Sequence, residues 1–242
     1  MVILLDTEAA PVIAHRGASG CCPENTLLAF ETGLNQGADA LELDVRLSAD
    51  GIPVVIHDAD VARTTNESGP VAGFTARELA QLDAGSGQGI PQLEEVLTTF
   101  ANAPLIIEVK ETAAAVAVAD TLQRHGAGNR VLVGSFERQA LHPLRNAGFA
   151  SAASRGETAR FWLGARIGWA PKGRGFAAFT VPVRHGRVTV VDAAFAKWAG
   201  RRSKPVHVWT VDDRSEAERL RTIGVQGIIT NFPERMRDLP TF

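Results

Sequence analysis

The chain has 242 residues, 45% of them hydrophobic and 21% charged, with a formal net charge of −2 and two adjacent cysteines, Cys21 and Cys22. That length supports one large core or two small ones, and the near-neutral charge by itself implies no nucleic-acid or membrane partner. Adjacent cysteines do not readily form a relaxed disulfide, so there is no disulfide framework and a reducing, cytoplasmic compartment is expected.

Val2 to Leu5 lead straight into Asp6 and Glu8 without a basic flank, so no secretory signal is expected. No apolar run approaches the ~18 residues of a membrane span. The two halves differ in charge. Residues 1–120 carry 5 lysines and arginines against 18 aspartates and glutamates (net −13), and residues 121–242 carry 20 against 9 (net +11). Mutual attraction within one fold accounts for this; a basic wall drawing an anionic substrate toward an acidic site is the sharper reading, and the two are compatible. The asymmetry also permits a homodimer.

Val12, Ile13 and Ala14 predict a first strand, and Leu27, Phe30 and Leu34 recur at i, i+3, i+7 as one helix face. A second strand is expected over 41–47, then an extended segment over 53–56 ending at His57. Residues 58–92, rich in Gly, Thr and Asp, break the rhythm and read as an insertion near the mouth of the fold. Helix 93–100, strand 105–109, helix 113–124, strand 131–133 and helix 138–146 follow. A weak strand at 150–153 and another at 177–183 precede helix 192–199 and strand 206–209. Asp212 or Asp213 can cap the next helix, with apolar positions Ala217, Leu220 and Ile223 and a stop at Gly224. The last strand covers 227–230, and Pro233 sits where a helix would begin. Phe161 and Trp162, with Trp169, are expected to pack into the core. Eight principal strands separated by helices imply a mainly parallel sheet, and this length favours a closed (β/α)8 TIM barrel. The whole of 1–242 then reads as a single domain with an insertion at about 58–92.

Functional groups of such barrels gather where strands end. His15, Arg16 and Gly17 end the first strand, Glu42 and Asp44 the second, Glu108 and Lys110 the third, and Trp209 the seventh, with His57 and Asp58 closing the extended segment. In a strand i and i+2 share a face, so Glu42 with Asp44, and Glu108 with Lys110, point away from Leu41, Leu43, Val45, Ile107 and Val109. Carboxylates on such a face are costly to bury unless paired or bound to a cation, which suggests a hard metal ion.

His15-Arg16-Gly17, Pro23-Glu24-Asn25-Thr26, Gly37-Ala38-Asp39, Glu42-Leu43-Asp44-Val45, Asp50-Gly51, Val54-Val55-Ile56-His57-Asp58, Arg63-Thr64-Thr65 and Gly69 follow one another in an order and spacing that resembles the glycerophosphodiester phosphodiesterase family. Pro91-Gln92-Leu93-Glu94-Glu95-Val96-Leu97, Glu108-Val109-Lys110, Ser135-Phe136, Val208-Trp209-Thr210-Val211 and Gly227-Ile228-Ile229-Thr230-Asn231-Phe232-Pro233 extend the resemblance over nearly the whole chain, loosely across 137–204. It implies a TIM barrel with a small insertion after the second strand. It also implies hydrolysis of a small-molecule glycerophosphodiester to glycerol 3-phosphate and a free alcohol, with no nucleic-acid partner and no stable membrane insertion. The resemblance implies a metal held by Glu42, Asp44 and Glu108, acid–base histidines at His15 and His57, and phosphate-facing cations at Arg16 and Lys110.

These residue types suit that chemistry. A divalent ion neutralises phosphoryl charge, an arginine fork and a lysine grip phosphate oxygens, and two imidazoles divide the proton transfers. Oxygen ligands favour Mg2+, with Ca2+ the alternative, and disfavour zinc. His57 is read as the acid; the nucleophile is either water or the glycerol 2-hydroxyl. Trp209 either walls the glycerol moiety or simply packs. Glu24 and Asn25 are read as bracing the first loop or capping the following helix, Arg155 and Lys172 as part of the basic wall or as solvated side chains, and His207 as core. His125, His142 and His185 show no partner pattern. Asn231 departs from an aspartate frequent in the family, and Gln226 also lies at a variable polar position. Two other readings remain: a barrel phospholipase acting on intact lipids, which would want an exposed apolar or aromatic docking segment, and a catalytically silent barrel binding a phosphorylated metabolite.

Overall fold

The computed structural model describes residues 3–241. Its main sheet contains β1 (Val12–His15), β2 (Ala40–Leu47), β3 (Pro53–Val55), β4 (Leu105–Val109), β5 (Val131–Gly134), β6 (Phe179–Pro182), β9 (Val206–Trp209) and β10 (Gly227–Thr230). The parallel order is β5-β4-β2-β1-β10-β9-β6, and β3 alone runs antiparallel, against the outer half of β2. Residues 150–153 fill the gap between β5 and β6: Val133 N–H donates to the Ala150 carbonyl at 2.9 Å and Ala153 N–H to that of Ala178 at 2.9 Å. The ring is thereby closed, although this fifth segment makes only isolated bridges rather than a regular strand. Between the strands lie α1 (Leu27–Asn35), α3 (Leu93–Thr99), α4 (Ala115–Arg124), α5 (Arg138–Asn146), α6 (Arg155–Arg166), α7 (Ala193–Gly200) and α8 (Arg214–Thr222), and the short α2 (Ala76–Leu79) lies in the insertion. No helix among the described residues is long and apolar enough to cross a membrane.

Period-two alternation builds the core. Leu41, Leu43, Val45, Leu105, Ile107 and Val109 face the helices, while Ile13, Ala40, Ile106, Leu132, Ala178 and Ile229 form the interior layer. The insertion makes a small core of its own, where Val61, Val71, Ala76, Leu79 and Ile90 pack on Val54 and Ile56. The helix expected at Pro233 is a 3-10 turn, Pro233–Met236. A hairpin, β7 (Arg184–His185) with β8 (Val188–Thr189), was not anticipated. Asp213, not Asp212, caps α8, accepting from Glu216 N–H at 3.0 Å.

The expected aromatic cluster divides. Phe161 is fully buried against Phe179 and Phe195, with ring centroids 4.7 and 5.4 Å apart. Trp162 is half-buried, but Trp169 lies beyond the helix end and is 64% exposed.

The 3-10 turn Ile3–Leu5 plugs the barrel floor through Leu4, whose carbonyl accepts from His207 Nε2 at 2.8 Å. His207 is therefore core, as expected, with its Nδ1 buried and without a hydrogen-bond partner. Burial pulls its pKa down to about 4, so the folded protein keeps it neutral. The unfolded chain takes up a proton near the ordinary histidine pKa, and stability should fall as pH drops from about 6.5 to about 4. His207→Leu is expected to flatten the pH dependence of the urea midpoint in that window, and an unchanged slope would refute it.

Candidate active site

Strand register brings the strand-end groups together. His15 sits opposite Glu42 across β1 and β2, and Asp44 opposite Glu108 across β2 and β4. One carboxylate oxygen from each of Glu42, Asp44 and Glu108 lies within 4.8 Å of the others. Glu42 and Asp44 are buried. Burial, then the neighbouring Asp44 and Glu108 charges, push the Glu42 carboxyl well above the usual range; burial also raises Glu108. Three acids crowded out of water call for positive charge. Lys110 supplies part of it, with Nζ 2.9 Å from Glu108 Oε1 and 3.3 Å from Asp44 Oδ1. Hard oxygen donors at this spacing fit a divalent cation.

The two imidazoles have different partners. Asn231 Nδ2 donates to Asp212 Oδ2 at 2.7 Å, which turns its Oδ1 toward His15 Nδ1, also at 2.7 Å. An amide oxygen accepts only, so Nδ1 carries the His15 hydrogen and Nε2 keeps a lone pair. That nitrogen lies 3.9 Å from Glu42 Oε2. Burial and the Arg16 charge lower the His15 pKa, which keeps the ring neutral. His57 instead sets Nδ1 2.6 Å from Asp58 Oδ1. A hydrogen bond from Arg63 holds the Asp58 carboxyl far below the ordinary aspartate range.

A chain of charges ties the two halves of the rim. Arg63 donates to Asp58 and, at 2.7 and 2.9 Å, to both oxygens of Glu24. Glu24 accepts from Arg16 Nη1 at 2.9 Å, and Arg16 Nε lies 3.0 Å from Asp44 Oδ2, charge-paired but outside hydrogen-bond geometry. Asn25 grips Asp44 through its side-chain amide at 3.0 Å. Of the two readings of Glu24 and Asn25, bracing holds and capping does not: Thr26 caps α1, while Glu24 holds Arg16 and Asn25 holds Asp44. Gly17 lets the loop fold onto α1, because a Cβ there would lie 2.4 Å from the Ala29 carbonyl carbon.

His15, Arg16, Glu42, His57, Glu108, Lys110 and Trp209 line one cavity, open to solvent. Phe136 stands edge-on to Trp209 at 5.9 Å between ring centroids. Arg155 stacks over Phe136 at 5.3 Å and borders an adjoining recess with Lys110 and Glu137. Lys172 lines neither space, so it is no part of a basic wall there. Gln226 bonds Val206 N–H and the Thr7 carbonyl at the far end of the barrel. His125, expected to lack a partner, lies 3.6 Å from Glu94. Arg63, Asp58, Asp212 and Ser19, whose Oγ donates to Asn231 Oδ1 at 2.7 Å, are neighbours to which the sequence reading gave no part in the site. Asp58, adjacent to His57, and Arg63 did stand in the motifs that carry the resemblance.

A parallel barrel with carboxylates, imidazoles and cations converging on one rim cavity is the architecture of a TIM-barrel enzyme. Residues 15–235 match the glycerophosphoryl diester phosphodiesterase family. The chain is 34% identical over 236 residues to a probable glycerophosphodiester phosphodiesterase of Mycobacterium tuberculosis, covering 94% of this chain and 89% of that protein. It is 32% identical over 242 residues to a glycerophosphodiester phosphodiesterase of Caldanaerobacter subterraneus, covering 94% and 96%. A phosphodiesterase of Oleispira antarctica, solved in complex with its product sn-glycerol-3-phosphate, superposes with a TM-score of 0.80 at 26% identity, covering 96% of each chain. The chain belongs to the glycerophosphoryl diester phosphodiesterase family and is a hydrolase.

Proposed function

We propose that this protein hydrolyses glycerophosphodiesters to glycerol 3-phosphate and an alcohol, with a divalent cation, Mg2+ before Ca2+, held by Glu42, Asp44 and Glu108. The observation that carries this is the convergence of those three carboxylates within 4.8 Å, two of them, Glu42 and Glu108, lining a cavity together with His15 and His57. The bound ion would neutralise phosphoryl charge. Arg16 and Lys110, already poised over Asp44, grip the phosphate oxygens. His15, neutral with a free Nε2, takes the proton of the nucleophile, whether water or the glycerol 2-hydroxyl. His57, backed by the Asp58 carboxylate, donates a proton to the departing alkoxide. Trp209 and Phe136 offer an apolar wall to the glycerol carbons.

A matrix of divalent metals against several glycerophosphodiesters tests this reading. Glycerol 3-phosphate should be released with Mg2+, or with Ca2+, and release should stop on chelation. No release with any metal would favour a silent phosphometabolite-binding barrel.

A further inference from the structure

One surface of the molecule is neither core nor active site. Leu163 and Ile167 sit one helical turn apart at the end of α6, 58% and 72% exposed, and Trp169 follows them. Large apolar side chains seldom cluster on a free surface without a partner. The surrounding charge is one-sided. Residues 155–192 contain seven lysines and arginines and two carboxylates, Glu157 and Asp192. Both carboxylates are already clamped, Glu157 by Arg145 at 2.9 Å and Asp192 by Arg166 at 2.7 Å. Arg160, one turn before Leu163, and Lys172 and Arg174, just past Trp169, are all exposed.

The hairpin β7–β8 extends the same surface. The Thr189 carbonyl accepts from Trp162 Nε1 and from Arg166 Nη2, both at 3.0 Å. This fixes the hairpin beside α6, with Val188 47% exposed, Arg187 at its tip and the exposed Arg184 opposite Thr189 at its base. Exposed Trp, Leu and Ile ringed by cations complement a bilayer with anionic headgroups: apolar side chains enter the headgroup boundary while guanidinium and ammonium groups meet the phosphates.

We infer that the end of α6, the 167–174 loop and the β7–β8 hairpin form a peripheral docking surface for anionic phospholipid membranes. The contact is reversible and superficial. It does not require an intact lipid as substrate, and it does not rest on the reading of the cavity. A glycerophosphodiester is what remains of a phospholipid after both acyl esters are cleaved, so docking would hold the hydrolase where such molecules are released.

Co-sedimentation with phosphatidylcholine vesicles and with mixed phosphatidylcholine–phosphatidylglycerol vesicles tests the inference on the full chain. The protein should pellet with the mixed vesicles, not with the neutral ones, and high salt should release it. Two variants separate the contributions. Leu163→Ser/Ile167→Ser/Trp169→Ser should abolish pelleting. Arg160→Gln/Lys172→Gln/Arg174→Gln, which leaves the apolar residues in place, should weaken it about fivefold per cation removed. Both should retain wild-type hydrolysis of a water-soluble substrate.

The inference fails if wild type ignores anionic vesicles, binds neutral ones equally, or pellets as well after either set of substitutions. It fails equally if wild type is a dimer in ultracentrifugation that the apolar triple converts to a monomer, because a second copy would then cover this face.

Discussion

His57→Ala is expected to lose about 10²–10⁴-fold in kcat on glycerophosphocholine, yet less than about tenfold on an aryl ester of glycerol phosphate. An alkoxide leaves poorly unless protonated as the bond breaks, whereas an aryloxide leaves without help. The assignment comes from the contrast between the two rings. His15 faces an amide oxygen at Nδ1 and a cationic neighbour in Arg16, conditions that favour a neutral base. His57 instead holds Nδ1 2.6 Å from the carboxylate of Asp58, itself fixed by Arg63, which orients the ring. Two rings held by such different partners are suited to opposite proton transfers. Equal losses on both substrates would remove His57 from the acid role. His15→Ala should instead depress both substrates alike.

Asp44→Asn should reduce kcat by about 10³-fold or more at any metal concentration. Asp44 is the most deeply placed of the three acids, 1% exposed, and every neighbour depends on it. Its oxygens pair with Arg16 and Lys110 and accept from the Asn25 side chain. On the proposed reading, the change replaces an anionic ligand by a neutral amide and also releases two cations from the geometry in which they would meet phosphate. Thermal stability should fall as well, because the half-buried Arg16 and Lys110 lose a counter-charge and Asn25 loses an anionic acceptor. Steady-state kinetics across a Mg2+ series checks the first effect and a melting curve the second. A variant restored to wild-type rate by excess Mg2+ would show that Asp44 only tunes affinity.

The barrel was legible because its strands announce themselves. Leu41 to Val45 and Leu105 to Val109 alternate cleanly, and the same alternation that sends leucine, isoleucine and valine outward sends Glu42, Asp44 and Glu108 inward. The fifth strand was faint for a physical reason: 150–153 is built of alanine and serine, which carry little strand preference, and it forms only bridges. Helix α6 escaped because Gly156 and Gly164 interrupt it and because Leu163 and Ile167 face outward, blurring the periodicity expected of a core-facing helix. Trp169 was misplaced for the same reason, since its sequence neighbours Phe161 and Trp162 do turn inward.

That the strand-end residues would share one cavity was readable, but their couplings were not. Asp212 reaches Asn231 across 19 positions, Asn231 reaches His15 across 216, and Arg63 joins Glu24 across 39. Such links depend on register and on how the insertion folds back, and spacing along the chain carries no trace of them. Asn231 illustrates the gain. In sequence it was a missing charge; in the structure its amide is oriented by Asp212 and fixes the hydrogen on His15.

The central claim is that carboxylates from two neighbouring strands share one divalent cation beside a pair of imidazoles. Calorimetric titration of the purified, chelator-treated protein with Mn2+ tests it most directly. Wild type should bind one ion per chain, and neither Glu42→Gln nor Glu108→Gln should bind it at that site. Saturable binding that survives both substitutions, or no binding by wild type at all, would contradict the account.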